Sequence, residues 1–354
     1  MNKKSAASAN PQVSLSEQKR LQMADIARLA GVSTSTVSRA LNKSPLINEE
    51  TRTRIEQLAK SLNYSINVGA QNLRLGQNRT VAVVVPFDSA SRQHLSDPFF
   101  LSILGSIADA LTDKGYDMLL TRVSADELDA AAQIFDTGRA IGVILIGQWR
   151  HHEQLNQMAA RRVPIVVWGA QIPQQMYVTV GSDNVAGGFL ATEHLLQNGR
   201  KRIAFFGDTQ LPEVADRFKG YQQALAKHQI AVDENLLVPA VFTEQGGRAA
   251  VEQLWSRQVA FDGLFACSDL LAMTAINSFR EQGWKVPDQV AVVGYDDIEL
   301  ARYFHPPLTT IRQPLVAAGE ALVSSVLALA AARAIASVLL PTELVVRQSS
   351  ISNR

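Results

Sequence analysis

The sequence predicts a multidomain chain: a small all-α headpiece followed by a two-lobed α/β core. Three observations predict it. The stretch "ADIARLAGVSTSTVSRALN" carries apolar residues at helical spacing, broken by Gly31 and then resumed. From residue 80 onward, apolar β-branched runs alternate with amphipathic stretches, the pattern of parallel sheets covered by helices. Charge also divides the 354-residue chain: residues 1–79 hold 12 Lys and Arg against 5 Asp and Glu, and the remaining 275 hold 22 against 28. A basic head on a mildly acidic body suits a polyanion-binding module joined to a second function.

Residues 1–20 are polar and aperiodic, which predicts disorder. Residues 21–64 read as three short helices. "LQMADIARLA" is the first, Gly31 is the turn, and "STSTVSRALN" is the second, with Ser33 as its N-cap. "NEETRTRIEQLAKSLN" is the third: Asn48 caps it, Glu49 and Glu50 favour its first turn, and Ile55, Leu58, Ala59 and Leu62 share one face. Residues 65–79, "SINVGAQNLRLGQNR", form a hinge linker. The core covers residues 80–348, and residues 349–354 follow it as a C-terminal tail.

Within the core, "TVAVVVPF", "AIGVILIG", "VPIVVWG", "KRIAFFGD", "FDGLFACSD" and "QVAVVGYDD" read as strands. The helical stretches "FLSILGSIADALTDKG" and "RFKGYQQALAKHQI" end near Gly115 and Gln229 and suggest two lobes of like design. In such sheets ligands bind beyond the carboxyl ends of the strands. Asp88, Asp208, Asp269 and Asp296 follow or end the runs, so polar groups should converge in a cleft between the lobes. Residues 321–340, "ALVSSVLALAAARAIASVLL", are long enough to span a bilayer, but Arg333 lies inside them and Ala and Ser dilute them. They read as a buried helix of a soluble domain.

Composition excludes several classes. A single cysteine, Cys267, permits no intrachain disulfide, and the first twenty residues lack the apolar segment of a signal peptide. No glycine-rich phosphate loop, nucleophile elbow or metal-ligand spacing is present, so the reading is of a non-enzyme without cofactor or metal. His151 and His152 are adjacent, point in different directions and read as surface.

Ser and Thr are mediocre helix formers, yet the second helix holds Ser33, Thr34, Ser35, Thr36 and Ser38. Helix, glycine turn and second helix match a helix-turn-helix, whose second helix enters the DNA major groove. Small hydroxyls let the backbone approach and bond phosphates or base edges, and Arg39 reaches further, toward guanine. Val37, Ala40 and Leu41 on the opposite face pack inward. The alternative is a hydroxyl-rich surface helix of a plain three-helix bundle; the basic balance of the segment favours DNA.

"DIARLAGVSTSTVSRALN", "INEETRTRIEQLAKSLNYSIN", "FKGYQQAL" and "VAVVGYDDIELARYFHPPLTTIRQP" resemble the LacI/GalR family of bacterial transcription regulators, and the resemblance runs from about residue 22 to 348. It implies a helix-turn-helix headpiece, a hinge helix and a two-lobed core resembling periplasmic sugar-binding proteins. It implies that Thr34, Ser35 and Arg39 read bases and that Ser33, Thr36, Ser38, Asn42, Asn48 and Thr51 touch phosphates. In the hinge "NVGAQNLRL", Leu73 matches a leucine that wedges into the minor groove, and Ala70 a small residue that lets two hinge helices approach. Three departures stand out. Gln22 replaces a capping Thr, so the first helix should fray. Gly69 replaces a larger residue and Ile66 a frequent proline, which weakens the hinge helix.

In the core the resemblance assigns effector contacts to Arg217 and Asp296, with Ser268 where many members have Asn, and Gln313 at another polar position. Arg offers a planar donor fork and Asp accepts from paired hydroxyls, which suits a polyhydroxylated ligand. The alternative for this pair is an inter-lobe ion pair or a helix cap. Phe99, Phe100, Trp149 and Trp168 are candidates for a stacking wall, with Phe100 and Trp149 taken into the site. The expectation is a cytoplasmic homodimeric repressor of carbohydrate-utilisation genes, nucleoid-associated when bound to a palindromic operator and released by a sugar. The alternative is a non-sugar effector or a corepressor. A secreted sugar-binding protein would share the core but need a signal peptide and lack the headpiece, and no segment supports a membrane module. No heptad tail follows "TELVVRQSSISNR", which argues against a tetramer.

Overall fold

The computed structural model describes residues 21–41, 44–62, 64, 78–88 and 93–351. It divides into two compact units, Met1–Gln77 and Asn78–Arg354. Asn42, Ala70, Leu73 and the hinge departures at Ile66 and Gly69 lie outside the described residues, as do residues 1–20.

In the first unit, α1 (Met23–Ala30), α2 (Thr34–Leu41) and α3 (Glu49–Ser61) pack around Ile26, Ala27, Val37, Ala40 and Ile55. Gly31 adopts a left-handed φ of 66°, and its N–H closes α1 on the Ala27 and Arg28 carbonyls, which turns the chain into α2. Both expected caps form. Ser33 Oγ accepts the Thr36 N–H at 3.1 Å, and Asn48 Oδ1 accepts the Thr51 N–H at 2.9 Å. The start of α1 corrects the expectation of fraying: the Asp25 carboxylate accepts the Gln22 N–H at 3.0 Å, so an acid in the first turn closes that end.

The second unit holds two six-stranded sheets. The first is built from β1 (Thr80–Phe87), β2 (Asp117–Ser124), β3 (Val143–Ile146), β4 (Ile165–Trp168) and β5 (Val178–Ser182). The second is built from β6 (Ile203–Phe206), β7 (Leu237–Val238), β8 (Gly263–Ala266), β9 (Ala291–Asp296) and β10 (Thr309–Arg312). Strands from the C-terminal end complete both: β11 (Val338–Leu340) joins β5 in parallel, and β12 (Glu343–Val345) joins β10 antiparallel. The sheet orders are β11-β5-β4-β3-β1-β2 and β12-β10-β9-β8-β6-β7. Helices α4 (Pro98–Asp113), α5 (Ala132–Asp136), α6 (His152–Ala160), α7 (Asn184–Gln197), α8 (Pro212–Lys227), α9 (Glu244–Ser256), α10 (Asp269–Glu281), α11 (Glu299–Tyr303) and α12 (Leu315–Ala330) surround the sheets. In β1 the run Val81–Val85 is fully buried, as parallel strands covered on both faces must be. The likeness of the lobes extends to their helices: α4 and α8 are each 16 residues long and are followed by left-handed turns at Gly115 and Gln229.

The chain passes between the sheets at 182–183, 313–314 and 341–342. These crossings are tied together. Ser182 Oγ donates to Gln313 Oε1 at 2.7 Å, the Asp183 N–H donates to the Leu340 carbonyl at 2.8 Å, and Thr342 Oγ1 donates to the Asp183 carbonyl at 3.2 Å.

Two sequence expectations are corrected. The stretch 321–340 is not one helix: α12 ends at Ala330, Ala332 turns with φ 54°, and the last three residues become β11. The Ala332 and Arg333 N–H groups close the helix end on the Leu329 and Ala328 carbonyls, each at 2.9 Å, and Ser337 Oγ accepts the Thr179 N–H at 3.0 Å, which docks the next segment on the sheet edge. Residues 349 and 350 are not a tail. Ser349 Oγ donates to the Val292 carbonyl at 2.7 Å and accepts the Thr309 N–H at 2.8 Å, and both serines are buried.

Helices α7 and α8 meet through glycine. A Cβ on Gly188 would overlap the Arg217 carbonyl, and one on Gly220 would overlap the Val185 carbonyl. Gly220→Ala is therefore expected to destabilise the core by about 1–3 kcal/mol. Gly105→Ala on α4, where the added methyl meets nothing, should leave stability unchanged or raise it. Urea midpoints of the two variants check the contrast.

Candidate functional site

The headpiece offers one face. Thr34, Ser35 and Arg39 are exposed on α2, while Val37 and Ala40 are buried beneath it. Ser35 and Arg39 stand one turn apart and so share a side of the helix. At the helix start the Ser33 hydroxyl lies 2.8 Å from both Ser35 Oγ and Thr36 Oγ1. This hydroxyl cluster sits where the helix N-terminus favours an anion. Ser38 is half-buried, and Asn48 and Thr51 open α3.

In the second unit a cavity of about 380 Å³ lies between the sheets. Its walls come from the carboxyl ends of the strands, as the fold requires. Asp88 follows β1, Trp149, Arg150 and His151 follow β3, and Trp168 ends β4. From the other sheet, Asp208 follows β6, Phe242 follows β7, Ser268 follows β8 and Asp296 ends β9. Phe99 and Phe100 project from the first turn of α4, and Glu213 and Arg217 from the first turns of α8.

Arg217 is held on every side. Its Nε donates to Asn184 Oδ1 at 2.9 Å, its Nη1 donates to the Cys267 carbonyl, and its guanidinium lies 3.7 Å from the centroid of the Tyr295 ring. Burial disfavours its charge, but Tyr295 and Asp296 outweigh that cost and keep the guanidinium ionised. All these partners belong to the second lobe, so Arg217 is not an inter-lobe ion pair. Among the described residues the pair that joins the lobes is Arg150 with Asp208, at 2.5 Å.

Asp296 is buried, with a left-handed φ of 121°, and its Oδ1 accepts from Gln313 Nε2 at 2.7 Å. Burial raises its pKa to about 7; the charge of Arg217 opposes the shift and Asp97 across the cavity adds to it. Burial also raises Asp97 and Glu213. Ser268 lines the wall while its Oγ accepts the Leu271 N–H at 3.2 Å, which caps α10. Phe99 stands 5.9 Å from Phe100 and 6.5 Å from Trp168, ring to ring, and forms the aromatic wall with them.

Three predicted placements change. Gln313 is not on the cavity wall; it sits behind Asp296 and holds it. Asp269 also lies behind the wall, where Thr310 Oγ1 and the Ile298 N–H donate to its carboxylate. His151 is not merely surface: it lines the cavity, 3.1 Å from Asp126 Oδ1, and His152 packs half-buried against the Tyr177 hydroxyl. Sequence reasoning missed Asp97, Asp126, Arg150 and Glu213. Glu213 had a signal: it precedes Arg217 by one helical turn and must share its face. Among the described residues, no group of three His, Cys, Asp or Glu could hold a metal ion, and no helix is long and apolar enough to cross a membrane.

Comparison with known proteins adds the following. Residues 22–67 match the model of bacterial regulatory proteins of the lacI family, and residues 192–350 match a periplasmic binding protein-like domain. The chain is 34% identical over 294 residues to the HTH-type transcriptional regulator CelR of Thermobifida fusca, covering 82% of this chain and 86% of that one. Among solved structures it is similar to a CelR–cellobiose complex, at 30% identity and a TM-score of 0.69 over 93% of this chain and 100% of the other. It is also similar to the Lac repressor dimer bound to operator and the anti-inducer ONPF, at 25% identity and a TM-score of 0.83 over 94% and 100%.

The buried acids generate a pH expectation. An acid whose folded pKa lies above its unfolded value stabilises fully below the unfolded value and loses that contribution as pH rises through the folded one. Asp296, at about 7, therefore makes the core less stable as pH rises from about 4 to about 7. Asp296→Asn should flatten that slope and raise the melting temperature at the alkaline end, as thermal unfolding across the range would show.

Proposed function

The chain belongs to the LacI family of bacterial regulatory proteins, and from that premise we propose a sugar-responsive repressor of carbohydrate-utilisation genes. The observation that carries the effector half is the cleft itself. A fixed guanidinium and a buried carboxylate face an aromatic wall at the carboxyl ends of the parallel strands of two sheets. Phe100, Trp149, Arg217, Ser268 and Asp296 hold a polyhydroxylated ligand there: the fork of Arg217 donates, Asp296 accepts, and the rings cover apolar sugar faces. The cellobiose held by the similar CelR structure supports a sugar as that ligand. The chain carries out no enzymatic reaction in this reading and acts in the cytoplasm, at the nucleoid when bound to DNA.

The DNA half rests on α2. Thr34, Ser35 and Arg39 read base edges; Ser33, Thr36, Ser38, Asn42, Asn48 and Thr51 bond phosphates; Ala70 and Leu73 act in the hinge. One headpiece reads one half-site, so the operator is palindromic and the protein a homodimer. Exposed apolar side chains on the core support a second copy: Leu101 on α4, Val316 on α12, and Leu300 and Tyr303 on α11.

Arg39→Ala is expected to weaken operator binding by about 1–3 kcal/mol and relax base preference at one position of each half-site. Fluorescence-anisotropy titrations of a duplex library check it; weakening equal for all sequences would make Arg39 a phosphate contact. Arg217→Ala should abolish the response to sugar and leave operator affinity intact, because a buried donor lost to the ligand costs about 2–5 kcal/mol. A thermal-shift panel of ribose, glucose, cellobiose and lactose identifies the sugar, since occupancy at 100 times the dissociation constant adds about 2.7 kcal/mol. Operator titrations with and without it then separate an inducer from a corepressor.

A further inference from the structure

Arg217 and Asp296 are tied to the same residue at the first lobe crossing, each through one buried amide. On one side, Arg217 Nε and the Tyr295 hydroxyl donate to Asn184 Oδ1 at 2.9 and 3.1 Å, and Asn184 Nδ2 donates to the Ser182 carbonyl at 3.1 Å. On the other side, Gln313 Nε2 donates to Asp296 Oδ1 at 2.7 Å, and Gln313 Oε1 accepts from Ser182 Oγ at 2.7 Å. Ser182, Asn184 and Gln313 are 2%, 4% and 4% exposed, so water does not compete for these bonds. Asp183, next in the chain, bonds the third crossing at Leu340, and Gln313 is itself part of the second.

We propose that Asn184 and Gln313 are positioning residues that transmit occupancy of the cleft to Ser182, where the lobes pivot, and so set how far a bound sugar changes operator affinity. The proposal rests on the effector reading of the cleft. An amide is directional: its oxygen only accepts and its nitrogen only donates. Gln313 therefore cannot turn between Asp296 and Ser182 without breaking both bonds, and a buried amide left unbonded is costly. A ligand that draws Asp296 and Arg217 toward itself pulls on both amides, and both pulls end on Ser182. The lobes cannot rotate about that crossing without straining the same bonds. Occupancy and lobe angle thus share one set of buried hydrogen bonds, which is how a ligand comes to bind one arrangement better than the other.

The test separates contact from transmission by measuring the response at saturation. Gln313→Met keeps the volume and removes both bonds; Ser182→Ala removes one hydroxyl and keeps the carbonyl that Asn184 uses. Full-length protein is titrated onto a palindromic duplex selected by the wild type, with and without whichever of ribose, glucose, cellobiose or lactose raises the melting temperature most. Sugar affinity is read separately from the fluorescence of Trp149 and Trp168, which line the cavity. Expected for both variants is operator affinity without sugar within about twofold of wild type, and a saturated sugar response reduced about tenfold or more, the coupling itself having been lost. The double variant should be no worse than either single one, because both break one path. A full response recovered at saturating sugar would make Gln313 a ligand-affinity residue only and overturn the proposal. So would losses that multiply in the double variant. If Gln313→Met melts well below wild type, Ser182→Ala alone decides. A wild type that binds operator but responds to none of the four sugars overturns the sugar-effector reading, and the transmission role falls with it.

Discussion

The two sheets can move against each other only as far as three peptide crossings allow, and those crossings are hydrogen-bonded together at Ser182 and Asp183. A single crossing would be a loose link. Three tied crossings, with their amides buried, behave as a pivot. Gly188 and Gly220 let α7 and α8 approach backbone to backbone, so Arg217 travels with Asn184 rather than sliding past it. The lobes are joined again by Arg150 and Asp208, but there the Arg150 side chain is 54% exposed. An exposed pair is screened by solvent and is worth about 0–1 kcal/mol. The pivot is therefore stiff and the second attachment weak. A ligand with a few kcal/mol of preference is enough to choose between lobe arrangements.

The cleft sets binding against stability. Asp97, Glu213 and Asp296 all line it, and burial raises all three. Burial disfavours the charged form of each, a desolvation cost that hydrogen bonds such as those of Gln93 to Asp97 and Gln313 to Asp296 offset only in part. Hydroxyls of a bound sugar would donate into those oxygens and relieve the cost. Function is thus visible here as local destabilisation that the empty fold tolerates. Arg217 shows the complementary arrangement: its partners fix its orientation before any ligand arrives, so little side-chain entropy is left to lose on binding.

The parallel strands were legible because β-branched runs such as Val81–Val85 leave no other element that could bury them. The headpiece was legible because Gly31, Ser33 and Asn48 mark its helix ends with chemistry that acts locally. What escaped the sequence depends on contacts distant along the chain. The end of α12 is closed locally, by the Ala332 and Arg333 N–H groups on the Leu329 and Ala328 carbonyls, but β11 needs Ser337 to bond Thr179, more than 150 residues earlier. Ser349 and Ser350 look like a polar tail until Val292, Thr309 and His194 are placed around them. Gln313 was read as a cavity residue from its position, but a glutamine beside a buried Asp can face the ligand or stand behind the acid. Only the location of Ser182 decides between them.

Both units separate the residues that carry the fold from those that make contact. In the headpiece, α2 is a short helix rich in Ser and Thr with little intrinsic stability. Its place is secured by Val37 and Ala40 in the core and by the turn at Gly31, so the exposed Thr34, Ser35 and Arg39 are not needed to pack it. In the cleft, the loop after β3 is anchored by Gln148, which is fully buried. Its amide donates to the Ala170 carbonyl at 2.7 Å and to the Tyr177 hydroxyl at 3.0 Å, and accepts the Ala170 N–H at 2.9 Å. That anchor holds Trp149 at a left-handed φ of 51° and delivers Arg150 and His151 to the cavity beside it. Exchanging such tips changes what is recognised, while Gln148 and Val37 stay as they are. A fold built this way can take a new operator or a new sugar without disturbing the pivot through which each acts on the other.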